Sequence, residues 1–231
     1  MLEIENLSAG YGETNVIENI NIKIEQGEVV ALIGKNGVGK TTLLKTIMGL
    51  IENREGSVYF DGINIEKLRP EQRALLGIAY VPQGREIFPF LTVKENLMLG
   101  MEARQKNEKD VPEDIYELFP ELKKIENRKG GDLSGGQQQQ LAIARMLITK
   151  PKLIMLDEPT EGIQPSIVFS IENSIRMIKE QKNISIILVE QFVEFALRLA
   201  DSCFVMEKGK FILGDRIENL DKDTIKNKVG F

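Results

Sequence analysis

The chain has 231 residues, no histidine and one cysteine. Those counts exclude Ser-His-Asp and Cys-His nucleophile systems, histidine metal sites, Cys-rich zinc sites, imidazole pH switches and any internal disulfide through Cys203. A hydrophobic fraction of 42%, a charged fraction of 28% and a net charge of −5 describe an ordinary globular chain with no bulk attraction to nucleic acid or anionic lipid.

The length suits a single domain whose core needs no staples. No apolar stretch approaches the ~20 residues that span a bilayer. The opening MLEIENLSAG has no basic region before an apolar block, so no signal peptide is expected. The expected location is the cytosol or the cytosolic face of a membrane complex.

Residues 2–7 and 16–24 alternate at period two, with Ile20, Ile22 and Ile24 on one face, and predict half-buried strands. Residues 28–33 predict a strand buried on both faces. It runs into Gly34-Lys35-Asn36-Gly37-Val38-Gly39-Lys40-Thr41-Thr42 and a helix ending near Gly49. Residues 57–60 predict a strand before an Asp61-Gly62 turn, Pro70 opens a short helix, and 78–81 predict another strand. The middle, about 85–150, shows helical periodicity and many charges. There Thr92 and Glu95 form a capping box, and 138–149 predict a helix with Leu141, Ala144 and Ile148 on one face. The glutamine run 137–140 reads as a polar first turn.

Strand and helix then alternate again. Residues 153–156 and 184–189 predict buried strands, 165–180 and 192–200 helices, and 203–206 with 211–213 a hairpin about Lys208-Gly209. Cys203 reads as a small core residue. The tail, 215–231, is charged and helical. This alternation predicts an α/β fold, a mostly parallel sheet covered by helices. One domain, 1–231, is expected, with a core of about 1–84 and 151–231 and an inserted helical subdomain of about 85–150.

Gly34-x-x-x-x-Gly39-Lys40-Thr41 fits the phosphate-binding loop pattern between a buried strand and a helix. Its glycines let backbone N–H groups close on phosphate oxygens, and the helix N-terminus favours negative charge. Lys40 supplies charge to the β/γ-phosphates and Thr41 a hydroxyl for Mg²⁺. The apolar strand 153–156 ends in Asp157 and Glu158, where open α/β sheets bind ligands. Asp157 then holds Mg²⁺ through water, and Glu158 polarises an attacking water. Alone, the two acids could equally cap the next helix. Leu133-Ser134-Gly135-Gly136-Gln137 precedes another helix and is either a second anion cradle or an N-cap in a tight turn. Two cradles about 95 residues apart make sense if a nucleotide is clamped between one chain's loop and another chain's Ser-Gly-Gly.

These three motifs, in this order and spacing, resemble the ATP-binding subunit of ABC transporters over nearly the whole chain. The resemblance implies a P-loop NTPase core with an antiparallel β edge, ATP hydrolysis and the ligands ATP and Mg²⁺. It implies in-trans contact by Leu133, Ser134, Gly135, Gly136 and Gln137. Tyr11, in Gly10-Tyr11-Gly12, matches the aromatic that stacks on adenine, or is a turn tyrosine. Gln83, in Val81-Pro82-Gln83-Gly84, matches the glutamine that reaches Mg²⁺ and the attacking water. Implied partners are multi-spanning permease subunits, a second cassette, identical or different, and indirectly an extracytoplasmic substrate-binding protein, with no nucleic acid. The implied place is the cytoplasmic face of the membrane, peripherally.

Two positions depart from the commonest family form. Gln164 stands where aspartate is usual, and Gln191 stands at the switch position that usually carries histidine. A glutamine amide donates and accepts hydrogen bonds but is no general base, which leaves Glu158 to activate water. Val189-Glu190-Gln191 and the stretch 84–97 resemble the branched-chain amino acid and amide importer branch. Within it, Gln137–Gln140 and the loop 158–166 look most like the urea-importer ATPase. The alternatives are import of branched-chain or other amino acids or short amides, and a soluble non-transport ABC ATPase.

Overall fold

The computed structural model describes residues 1–102, 110–182 and 184–230. Residues 103–109 of the predicted helical middle and the last residue of the predicted tail helix lie outside them. The chain runs β1 (Leu2–Tyr11), β2 (Thr14–Ile24), β3 (Val29–Ile33), α1 (Lys40–Met48), β4 (Asn53–Phe60), β5 (Ile63–Asn64), α2 (Pro70–Leu76) and β6 (Ile78–Val81). Among the described residues, α3 (Val93–Glu102), α4 (Glu113–Leu118), α5 (Pro120–Lys124) and α6 (Gly135–Leu147) follow. The chain then returns to strands: β7 (Leu153–Asp157), α7 (Pro165–Lys182), β8 (Ser185–Glu190), α8 (Val193–Leu199), β9 (Ser202–Glu207), β10 (Lys210–Arg216) and α9 (Lys222–Val229).

The described strands form two sheets. One is antiparallel, in the order β2-β1-β4-β5. The other has the order β10-β9-β3-β8-β7-β6, parallel from β9 to β6 with β10 antiparallel at its edge. That is the expected α/β architecture. The central strands are short and apolar because both faces are covered. Alternate residues of β3 go to opposite cores: Val29, Ala31 and Ile33 face one cluster, Val30 and Leu32 the other. β7 and β8 divide in the same way, Leu156 and Leu188 to one side, Met155 and Val189 to the other. Each such aliphatic contributes about 1.5–3 kcal/mol by burial. Truncating Ile33 to alanine would cost about 2–5 kcal/mol by leaving a cavity.

The antiparallel sheet and α1 close one core, where Leu2, Ile4, Ile20 and Ile24 meet Leu43, Leu44 and Ile47. The helices between β6 and β7 share the other core with the parallel sheet: Leu97, Phe119, Leu122 and Leu141 join Ala31, Leu156 and Leu188. Helix α6 begins earlier than the apolar pattern predicts, at Gly135, because Ser134 caps it. Phe119-Pro120 breaks a helical stretch into α4 and α5, Pro120 opening α5 where its missing N–H costs nothing. The predicted Thr92–Glu95 box is present: Thr92 N donates to Glu95 Oε2 at 2.7 Å and Glu95 N to Thr92 Oγ1 at 3.1 Å.

Candidate active site

The loop between β3 and α1 is shaped by what lies behind it. A Cβ on Gly34 would sit 2.6 Å from the Met206 carbonyl of β9, so that position has no room for a side chain. Gly39 takes φ 113° at the start of α1, a left-handed conformation that glycine adopts without strain. Behind the loop, Gly209 N donates to Val38 O at 2.9 Å. The start of α1 has no side-chain cap and no acid in its first turn, so no side chain competes with an anion for its first N–H groups. Lys40 is buried. Its Nζ donates to Gly34 O at 2.6 Å and Lys35 O at 2.9 Å, and lies 3.2 Å from Glu158 Oε1. Asn36, Gly37, Gly39, Lys40, Thr41 and Thr42 line a cleft of about 310 Å³ together with Gln83 and Glu158. Lys35 is exposed beside it.

The end of β7 supplies both acids. Thr41 Oγ1 donates to Asp157 Oδ1 at 3.1 Å, and the Tyr80 hydroxyl to Asp157 Oδ2 at 3.0 Å. Burial pushes the Asp157 carboxyl above its ordinary value, against the pull of those two hydrogen bonds. Burial and the neighbouring Asp157 raise the Tyr80 hydroxyl as well, so it stays a donor. Glu158 has φ 49°, an uncommon backbone conformation for a side chain of this size. Gln191, just beyond β8, donates from Nε2 to Glu158 Oε2 at 2.7 Å. The buried Glu158 carboxylate therefore lies between a cation and an amide.

Gln83 follows β6 and donates to Glu161 Oε2 at 2.7 Å. It borders a second cleft of about 630 Å³, which Thr41, Tyr80, Asp157 and the half-exposed Tyr11 also line. Glu190 is buried. Its Oε1 accepts from Thr160 N at 3.1 Å and Thr160 Oγ1 at 2.8 Å, and burial pushes its carboxyl up to about 7.

Leu133, Ser134, Gly135, Gly136 and Gln137 line neither cleft about the loop. Ser134 caps α6, accepting from Gln137 N at 3.3 Å while its own N donates to Gln137 Oε1 at 3.0 Å. Ser134 is exposed and Leu133 buried. A Cβ on Gly136 would meet the Ile167 side chain at 2.0 Å, so that glycine brings α6 against α7. Gln164 is exposed, and its carbonyl accepts from Ile167 N at 2.9 Å at the start of α7.

The structure thus brings Lys40, Thr41, Asp157, Glu158, Gln83 and Gln191 together around the loop. Sequence reasoning gave no role to Tyr80, Glu161 or Glu190. Tyr80 reads as a strand residue, and Glu161 as a loop acid. Glu190 carried a usable signal, a lone acid closing an apolar strand.

The sequence matches the family model described as ABC transporter over residues 17–161. The high-affinity branched-chain amino acid transport ATP-binding protein BraG of Pseudomonas aeruginosa is 39% identical over 216 residues, 93% of this chain and 92% of that protein. The probable branched-chain amino acid transport ATP-binding protein LivF of Archaeoglobus fulgidus is 39% identical over 211 residues, 91% and 89% of the two chains. A dimeric post-hydrolysis ATP-binding cassette solved with ADP and Pi superposes with a TM-score of 0.81 at 27% identity, covering 94% of this chain and 99% of that one. No described helix is long and apolar enough to cross a membrane. With a family match over more than half its length and relatives aligned almost end to end, the chain belongs to the ABC transporters and is an ATPase of that family.

Proposed function

We propose that this ATPase drives an importer for branched-chain amino acids, with Glu158 activating the attacking water. The observation that carries the catalytic part is the Lys40–Glu158–Gln191 cluster at the mouth of the phosphate loop. The cargo rests on the names of the two relatives. In this reading Gly34, Lys35, Asn36, Gly37, Val38, Gly39, Lys40, Thr41 and Thr42 hold the phosphates of ATP, and Tyr11 packs on adenine. Lys40 exchanges its carbonyl and carboxylate partners for phosphate oxygens. Glu158 then takes a proton from water as the water oxygen attacks the γ-phosphorus. The bond to the β–γ bridging oxygen breaks, leaving ADP and phosphate. Gln191 holds Glu158 and contacts the γ-phosphate; its amide takes no proton.

Mg²⁺ fits the site. Thr41, Asp157 and Gln83 offer hydroxyl, carboxylate and amide oxygens, the hard donors that Mg²⁺ prefers, and a cation favours the charged form of the buried Asp157. When bound, it neutralises charge developing on the phosphates. Among the described residues no group of three or more Asp, Glu or Cys side chains could hold a metal without the nucleotide.

Leu133, Ser134, Gly135, Gly136 and Gln137 of a second cassette then close over the γ-phosphate; that a similar cassette is dimeric supports the pairing itself. The helical subdomain, about 85–150, moves with Gln83 against the core, about 1–84 and 151–231, and pushes on permease subunits at the cytoplasmic face of the membrane. An extracytoplasmic binding protein delivers the cargo. A second cargo, urea, is favoured by Gln137–Gln140 and the loop 158–166. Cargo-stimulated ATPase of the assembled complex tests all of this. Stimulation by leucine supports the proposal, and stimulation by urea alone moves the cargo. Full turnover in Glu158→Gln refutes the assignment of the base.

A further inference from the structure

Glu190 closes β8 beside Ile33, the last residue before the phosphate loop. Its side chain is buried, at 2% exposure for the residue, and every partner it has is a donor. Oε1 takes Thr160 N and Thr160 Oγ1, at 3.1 and 2.8 Å. Oε2 takes Gln191 N at 3.2 Å and Phe192 N at 3.5 Å. An ionised carboxylate accepts through both oxygens, so it suits this ring of donors. A glutamine here would turn an NH₂ group toward N–H donors on one side or the other.

The donors belong to two segments that carry the reaction. Gln191 holds Glu158 through its side chain and Glu190 through its main chain. Thr160 lies two residues beyond Glu158, and the next residue, Glu161, donates from N to Glu158 O at 3.1 Å and holds Gln83. We propose that Glu190 is a positioning residue for ATP hydrolysis, fixing Glu158 and Gln191 against each other and, through Thr160 and Glu161, fixing Gln83. The four residues before it in β8, Ile186, Ile187, Leu188 and Val189, are apolar and buried. An apolar residue would suit the strand, whereas a buried carboxylate costs several kcal/mol of desolvation. Among the described residues that cost is offset in part by the four donors, which are those of the catalytic arc. The inference rests on the roles given above to Glu158 and Gln191.

The test uses the assembled transporter. Single-turnover ATP hydrolysis and ATP affinity are measured for Glu190→Gln, Thr160→Val, their double variant and, in parallel, Glu158→Gln. Glu190→Gln is expected to slow hydrolysis by on the order of 10–100-fold, the effect of small misplacements at a reacting centre, with ATP affinity within about twofold. Thr160→Val removes one donor and is expected to slow it by about 3–10-fold, and the double variant loses less than the product. Unchanged hydrolysis in Glu190→Gln, or affinity falling in proportion to rate, overturns the proposal. Should Glu190→Gln fail to fold, Thr160→Val decides by the same criteria. Full hydrolysis in Glu158→Gln instead overturns the assignment of the base, whatever Glu190 does.

Discussion

Lys40→Met tests how much of the fold's stability resides in the active site. Methionine keeps the volume of the lysine stem, so no cavity confuses the result. In the unliganded chain the substitution leaves Glu158 buried with the Gln191 amide at 2.7 Å as its remaining side-chain partner. Breaking a buried ion pair from one side costs about 3–5 kcal/mol. For a chain of this length each kcal/mol moves Tm by about 2–4 °C, so Tm should fall by about 6–20 °C. The opposite substitution is milder. Glu158→Gln leaves Lys40 with Gly34 O at 2.6 Å and Lys35 O at 2.9 Å, and about 1–2 kcal/mol should be lost. The double variant should lose about 1–3 kcal/mol less than the sum. Thermal unfolding by circular dichroism, without nucleotide, reads all three. Raising salt should change little, because the pair is 3% and 6% exposed. Equal small shifts for the two single variants, or additivity in the double, would refute the reasoning.

Gly34→Ala should lower Tm and weaken ATP binding at least tenfold, because its Cβ would lie 2.6 Å from Met206 O; overpacking of this kind costs about 1–3 kcal/mol. Calorimetric titration with ATP checks the binding. Ser134→Ala should cost about 1 kcal/mol through the lost cap on α6, with ATP binding to the single chain unchanged; a matching fall in affinity would place Ser134 in the chain's own site. Glu190 sets a pH dependence. Its carboxyl stands at about 7 in the folded chain against 4.5 ordinarily, so the folded state binds the proton more tightly. That contribution is complete below about pH 4.5 and is lost as pH rises through 7, at most about 3 kcal/mol in all. Between pH 5 and 8 the Tm of Glu190→Gln should fall less than that of the parent, and parallel curves would count against it.

Much of this was legible because local pattern and tertiary role agree. The period-two isoleucines of β2 face one core, the five apolar residues of β3 have no polar face to give, and the phosphate loop sits between strand and helix as its chemistry requires. Where pattern and role part, reading failed. The strand expected over 57–60 begins earlier, because Asn53, Arg54 and Glu55 extend β4 along an irregular pairing with β1. Gly135-Gly136 reads as non-helical by propensity, yet Ser134 and Gln137 cap it into α6, and packing on Ile167 needs a residue without Cβ. Tyr80 lies in an apolar strand, and only the register of β6 against β7 brings its hydroxyl to Asp157. Glu190 and Thr160 are 30 residues apart, a contact no local pattern encodes.

The absence of histidine bears on how the site changes state. In the structure the polar groups satisfy one another: Lys40 with Glu158, Glu158 with Gln191, Gln83 with Glu161. In the proposed cycle ATP must replace the first of these, exchanging one charge-assisted contact for another of similar strength. Only the difference between the two contacts is then available to shift the equilibrium between open and closed states. An imidazole at position 191 would titrate near pH 6.5 and change that balance across the physiological range. The Gln191 amide carries no charge at any such pH, so its hold on Glu158 does not vary through its own ionisation. Replacing Gln191 with histidine should therefore add an inflection near pH 6–7 to the pH–rate profile of hydrolysis, one that the parent lacks. Identical profiles for the two would show that position 191 has no electrostatic contact with the reacting groups.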